Sequence, residues 1–334
     1  MYKLYCRVYQ CVLRVASYFV PWRRPQLLEG EKSLNKLPKL IKDKDITSVL
    51  IVTDKGIVSL GLIDELLVGL NNEGIKSSIY DKIVPNPTID NIEEAVEIFE
   101  INKCEAIIAF GGGSPIDCAK GVGARIARSD RKISQMKGLL KVRKSIPPLF
   151  AIPTTAGTGS EATIAAVISD SRTHEKYAIN DMVLIPQYAV HDPTLTIALP
   201  PHITSITGMD ALTHAVEAYI GRSNTKKTKQ LSKEAVKMIF GNIYEAYSNG
   251  KNLEARQNML KASYFAGIAF TRAYIGYVHA IAHTLGGFYG TPHGLANAVI
   301  LPYVLEYYGK SVYRPLAELA ELVGLVEYKK VISL

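Results

Sequence analysis

Twice in this chain a short apolar run leads into a glycine-bearing turn: AIIAFGGGSP at 106–115 and PLFAIPTTAGTGSE at 148–161. A run of this kind is a strand buried on both faces, and glycine lets the chain turn tightly as it leaves the strand's carboxyl end. Upstream, SVLIVTD from Ser48 is another short strand, Ile57 to Glu73 is helix-periodic and closed by Gly74, and Ser77 to Tyr80 is the next strand. The loop VPNPT at 84–88 breaks the chain, and Asp90 with Glu93 predicts a capping-box start for a helix through Ile101. Strands and helices that alternate in this way build a parallel, Rossmann-like sheet with helices on its faces. After DPTLTIALPP at 192–201 the texture changes: from Ile203 onward the periodicity is Ala-rich, Leu-rich and helical, with no strand. The fold class expected is an α/β N-terminal domain followed by an all-helical C-terminal domain.

Charge excludes a class of partner. The net charge of +8 is concentrated in residues 1–44, where ten Lys or Arg stand against Glu29, Glu31 and Asp43. The other 290 residues are nearly neutral, so no basic groove of the kind a nucleic-acid reader needs runs through the fold. Tyr2 to Val20 reads as an amphipathic helix with Lys3, Arg7 and Arg14 on its wet side. Such an arm can pack against the body or a second subunit, or lie on a membrane surface. Arg7 and Arg14 interrupt it, so it offers no transmembrane segment, and no small-residue cleavage site comes after it. The four cysteines at 6, 11, 104 and 118 form no CxxC pair, which points to a reducing, cytoplasmic setting.

GGGSPID at 111–117 follows a buried strand and opens a helix, where free backbone N–H groups and the helix dipole attract an anion. It is neither GxGxxG nor a Walker loop, and alone it is only a tight turn. TTAGTGSE at 154–161 repeats the arrangement with added hydroxyls, and two such turns at the carboxyl edge of a sheet suit a dinucleotide. Asp54, at the end of the Ser48 strand, can accept hydrogen bonds from ribose hydroxyls and repel a 2′-phosphate, which favours NAD over NADP. Its other reading is a surface Asp that begins a turn. The organisation expected is therefore a basic arm over 1–44, a dinucleotide-binding α/β domain over 45–195 and a helical metal-binding domain over 196–334.

The metal reading comes from histidine. Of seven, four fall with Asp210 in a window of 84 residues as Asp210-x3-His214, His279-x3-His283 and His293. An i, i+4 pair projects from one helix face, so each of the first two sets can aim two side chains at one point. One carboxylate with two or three imidazoles suits Fe²⁺ or Zn²⁺. His174, His191 and His202 read as packed core histidines. No HExxH occurs, so the general base of a metalloprotease is absent.

Taken together, TDKG at 53–56, PNPT at 85–88, GGGSPIDCAK at 111–120, PTTAGTGSE at 153–161, GMDALTHAVEAY at 208–219 and GYVHAIAHTLGGFYGTPHG at 276–294 resemble the iron-containing (group III) alcohol dehydrogenases, whose fold is shared with dehydroquinate synthase. The resemblance implies metal ligation by Asp210, His214, His279 and His293, with His283 a non-ligand near the nicotinamide and substrate. It also implies NAD contacts from Asp54, Asn86, Gly112, Gly113, Ser114, Asp117, Thr154, Thr155, Thr158 and Lys176. The function implied is metal-dependent hydride transfer between NAD(H) and a small alcohol or aldehyde, with Fe²⁺ as the ion and Zn²⁺ as the second choice, in a homodimer or larger homo-oligomer. Two alternatives stand beside it. A dehydroquinate synthase-like lyase would need a basic cluster in its cleft, for which Arg222 and Arg272 are the nearest residues. A truncated, non-catalytic chain would bind nucleotide and metal without turnover. Only 41 residues follow His293, fewer than in the family, so a C-terminally truncated helical domain is expected, with Leu316, Leu319, Leu322, Val323 and Val326 lacking later partners.

Overall fold

The computed structural model describes residues 2–20, 22–173 and 175–325. They divide into two compact units, one comprising 23–155 and 160–198, the other the rest of the described chain. A helix, α1 (Tyr2–Phe19), opens the chain. The first unit then runs β1 (Gln26–Glu29), α2 (Leu37–Lys42), β2 (Ser48–Val52), α3 (Lys55–Ser59), α4 (Asp64–Asn72), β3 (Lys76–Tyr80), α5 (Ile89–Ile101), β4 (Ala106–Gly111), α6 (Gly113–Ala127), β5 (Gly138–Leu139), β6 (Leu149–Pro153), β7 (Ala165–Ser169), β8 (Lys176–Asn180) and β9 (Tyr188–His191). The helical unit continues with α7 (Pro201–Ile220), α8 (Lys226–Ser248), α9 (Leu253–Ala273), α10 (Tyr277–Tyr289), α11 (His293–Tyr308) and α12 (Tyr313–Leu322).

The main sheet has six parallel strands in the order β1-β9-β6-β4-β2-β3. Alternate residues of β2 go to opposite faces: Leu50 and Val52 pack with residues of α5 and α6, Val49 and Ile51 with residues of α2 and α4. All five residues of β2 and all six of β4 are buried, as a sheet covered on both faces requires. From β2 the chain crosses outward to β3, then returns to β4 on the other side of β2 and continues to β6. The connections therefore reverse direction between β2 and β4, and the crevice at such a reversal is where ligands of open α/β sheets bind.

Several details depart from the periodicity. The helix read over Ile57 to Glu73 is two helices, α3 and α4, because Gly61 adopts a left-handed conformation (φ +67°) between them. The cap of α5 is Thr88, whose hydroxyl accepts from the Asn91 N–H while the Asn91 side chain accepts from the Thr88 N–H. The pair Asp90 and Glu93 therefore lies two residues inside the true box. Strands β5, β8 and β7 form a second, three-stranded sheet that the sequence pattern does not announce.

In the helical unit α7, α8 and α9 pack through small side chains, among them Ala211, Ala215, Ala235, Ala262 and Ala266, with Leu301 and Val304 of α11 in the same core. Leu319 of α12 is buried there and Leu316 and Val323 pack against it, so these positions do have partners. Leu322 is half-buried, and Val326 lies outside the described residues. No strand occurs among the described residues after His191. No described helix is long and apolar enough to cross a membrane. On α1, Arg7 and Arg14 are exposed, and so is the apolar face of Leu4, Val8, Val12 and Val15. Lys3 has no described side chain.

Candidate metal centre and dinucleotide cradle

Three helices of the second unit each bring an i, i+4 pair to one place. Asp210 and His214 project from α7, His279 and His283 from α10, and His293 and Asn297 from α11. Close approach of α11 to α7 depends on Gly294: a Cβ there would lie 2.1 Å from the Ile206 carbonyl oxygen and 3.3 Å from Asp210 Cβ. The result is a cluster in which one donor atom from each of Asp210, His279 and His293 lies within 4.8 Å of the others. Asp210 and His279 are buried, and His293 is partly open.

The atoms of the cluster fit a cation. Asn297, itself fully buried, donates from Nδ2 to Asp210 Oδ1 at 2.6 Å and holds the same nitrogen 3.2 Å from Nε2 of both His279 and His293. Its Oδ1 has no hydrogen-bond partner. An electropositive group therefore already sits where a carboxylate and two imidazole nitrogens meet, and one carboxylate with imidazoles is a donor set for Fe²⁺ or Zn²⁺. His214 stands beside this cluster and not in it. Its ring is stacked between Phe270, at 4.2 Å, and His279, at 4.4 Å, with Nδ1 buried and unpartnered. His283 also lies outside the three-donor cluster, with its ring stacked on that of His293 at 4.7 Å.

Charge states follow from this packing. Burial opposes ionisation of Asp210, but His214, His279 and His293 outweigh it and hold its carboxyl far below the usual carboxylate range. Burial pulls His214 down to about 3 despite Asp210, so its imidazole is neutral. Burial acts the same way on His279, yet Asp210 and Glu217 prevail and push it up to about 9. Glu217, seven residues beyond Asp210 on α7, is a neighbour that the i, i+4 spacing missed. Its signal was available, since i+7 returns to the face of i and i+4.

In the first unit, residues at the ends of β2, β4 and β6 gather at the reversal of the sheet. β4 ends at Gly111, and Gly112 is the N-cap of α6, with no side-chain cap hydrogen bond. A Cβ on Gly112 would lie 3.2 Å from Thr155 Oγ1, so the turn after β6 borders the turn after β4. Thr154 is buried, and its N–H donates to the Gly111 carbonyl at 3.1 Å. Ser114 Oγ accepts from the Asn86 N–H at 3.2 Å, and Asn86 Oδ1 accepts from Lys176 Nζ at 2.6 Å. Asn86 and Lys176 are therefore joined to each other and to the start of α6. Asp54 caps α3, accepting from the Ile57 N–H at 3.0 Å. Asp117 accepts from the Ser160 hydroxyl at 2.6 Å and from the Val167 N–H at 3.1 Å, so both of its oxygens anchor the segment after β6. Thr158 belongs to the helical unit.

Lys120, also missed, is fully buried. Its ammonium group faces five oxygens: the carbonyls of Ser160, Thr163 and Ala165 at 2.6, 3.0 and 2.8 Å, and the hydroxyls of Ser160 and Thr163 at 3.1 and 2.9 Å. Among the lone histidines, His191 is fully buried, with Nε2 3.2 Å from Glu161 Oε1. His202 is exposed, because it sits in the first turn of α7 ahead of the buried stretch, and the core reading does not hold for it. His174 lies outside the described residues. Arg272 is buried with its guanidinium 5.1 Å from the Trp22 ring centroid.

The sequence matches two family patterns: iron-containing alcohol dehydrogenase over residues 25–193, and the C-terminal domain of the Fe-containing alcohol dehydrogenase family over 204–332. Alcohol dehydrogenase 4 of Schizosaccharomyces pombe is 42 % identical over 293 residues, which are 88 % of this chain and 68 % of that protein. The crystal structure of a 1,3-propanediol oxidoreductase superposes with a TM-score of 0.89 at 37 % identity, covering 93 % of this chain and 84 % of that one. A sulfoacetaldehyde reductase from Bifidobacterium kashiwanohense, solved in complex with NAD⁺, gives 0.80 at 28 % identity, covering 91 % and 85 %.

Proposed function

The chain belongs to the iron-containing alcohol dehydrogenase family, and on that premise we propose that it transfers hydride between NAD(H) and a small primary alcohol or diol, using an Fe²⁺ ion, or Zn²⁺ in its place, held by Asp210, His279 and His293 with His214 as fourth ligand. The observation that carries this reading is the convergence of the Asp210 carboxylate with two imidazole nitrogens around one buried point. A divalent ion bound there polarises the substrate oxygen, and NAD(H) supplies the redox chemistry.

The residues supply the setting. Among the assigned ligands only Asp210 is ionised, His214 being neutral, so a divalent ion held there would keep about one positive charge within its ligand set, partly offset by the Glu217 carboxylate behind His279, with which to favour an alkoxide over an alcohol. His283, stacked on His293 and outside the three-donor cluster, is the group we assign to moving the substrate proton. For the dinucleotide, the first N–H groups of α6 at Gly112, Gly113 and Ser114 are assigned to the pyrophosphate, with Thr154 and Thr155 adding hydroxyls. Asp54 is assigned to the adenosine ribose. Asn86, Asp117 and Lys176 hold the cradle through the bonds described above. Dinucleotide binding is thereby assigned to the α/β part and metal binding to the helical part.

All four cysteines are free thiols, Cys104 and Cys118 buried, which supports a reducing cytoplasm. We place the protein there as a homodimer or larger assembly. The test is to purify it without oxygen, load it with Fe²⁺ or Zn²⁺, and follow NADH consumption with short aldehydes and dihydroxyacetone. Metal-dependent oxidation of NADH is the expected result. NADH binding without oxidation by any carbonyl in the panel refutes the reading.

A further inference from the structure

Glu217 makes a set of contacts that neither the motif nor the ligand set accounts for. Its carboxylate is buried. Oε1 accepts from the Val278 N–H at 2.9 Å, and Oε2 accepts from the Gly276 N–H at 3.0 Å and faces His279 Nδ1 at 2.6 Å. The backbone donors belong to the start of α10, the helix that carries His279 and His283. Gly276 leaves room for the carboxylate, since a Cβ there would lie 2.8 Å from Glu217 Oε1.

We propose that Glu217 is the positioning residue of the metal centre: it fixes the proton of His279 on Nδ1 and so dedicates Nε2 to the ion. The inference rests on the metal reading above. Two N–H groups that only donate fix the orientation of the carboxylate, and the oxygen left facing the ring can only accept, so Nδ1 must donate. The other ring nitrogen lies 3.2 Å from Asn297 Nδ2, on the side where Asp210 and His293 converge. Carboxylate partners of this kind orient metal-bound imidazoles and raise their basicity.

A glutamine at 217 cannot reproduce the arrangement. With its amide nitrogen toward Val278, two donors oppose each other. With the nitrogen toward His279, the amide donates to Nδ1 and moves the ring proton to Nε2, which removes the ligand atom. Glu217→Gln is therefore expected to weaken Zn²⁺ binding roughly 10- to 100-fold in a chelator-competition titration. Full-length wild type, Asp210→Asn and Glu217→Gln are titrated in parallel. In metal-free protein labelled with ¹⁵N at histidine and held at about pH 10, where the imidazole raised to about 9 is neutral, His279 should show a protonated Nδ1 in wild type and the opposite tautomer in Glu217→Gln, a readout that a purely structural role leaves unmoved. Zinc binding lost in Asp210→Asn but within twofold of wild type in Glu217→Gln overturns the assignment, as does an unprotonated Nδ1 in wild type. Zinc binding unchanged in Asp210→Asn overturns the metal centre itself, and this inference with it.

Discussion

Gly294→Ala tests how closely the metal centre depends on helix approach. The added methyl would start 2.1 Å from the Ile206 carbonyl oxygen, whereas an ordinary C···O approach is about 3.3 Å. The acceptor is backbone, one turn before Asp210 in α7, so relief requires α11 to move about 1.2 Å relative to α7. That displacement separates His293 from Asp210, while metal–ligand distances tolerate only ~0.2 Å. Overpacking of this kind costs about 1–3 kcal/mol. If the cost falls on the arrangement that binds metal, Zn²⁺ affinity drops roughly 5- to 150-fold, at about 1.4 kcal/mol per tenfold. The assay is a chelator-competition zinc titration alongside the melting temperature of the metal-free protein. Zinc affinity within twofold of wild type, with an unchanged melting temperature, would show that α11 has slack and that the ligand geometry does not depend on its close approach to α7.

Asp54→Asn keeps the cap of α3 but removes the charge, so the NADP/NAD ratio of kcat/KM should rise by about tenfold; an unchanged ratio removes Asp54 from cofactor selection. His283→Ala should lower turnover by roughly 10²- to 10⁴-fold with metal content unaltered, and parallel loss of metal would make His283 a ligand instead. For pH, His279 is raised from 6.5 to about 9, so its contribution, up to about 3 kcal/mol in metal-free protein, is fully present below pH 6.5 and lost as pH rises through about 9. The stability gap between wild type and His279→Gln in urea should therefore narrow across that interval, and a gap that widens contradicts the assignment.

The parts legible in the sequence were those with short-range periodicity. Strands β2, β4 and β6 are continuous apolar runs, and the i, i+4 spacing of Asp210 with His214 and of His279 with His283 survives as geometry because both pairs lie within unbroken helices. What escaped depends on distant partners. β1 has only four residues in a charged stretch and exists because β9 pairs with it, about 160 residues later. The break between α3 and α4 turns on the φ angle of one glycine. Glu217 sits amid alanines in HAVEAY, and only the return of the chain through Gly276 to His279 gives its carboxylate a purpose.

Lys120 gives the first unit a fixed charge of its own. Its ammonium group gathers five oxygens from residues 160–165, much as a bound cation would, and at neutral pH it remains charged, although burial lowers it to about 8. This cation is covalently attached. A metal ion held at Asp210 could be stripped by a chelator, but the cross-link between α6 and the segment after β6 stays with the chain. Metal removal should therefore loosen the helical unit before the α/β unit, and on the proposed division of the sites NADH binding would outlast catalysis.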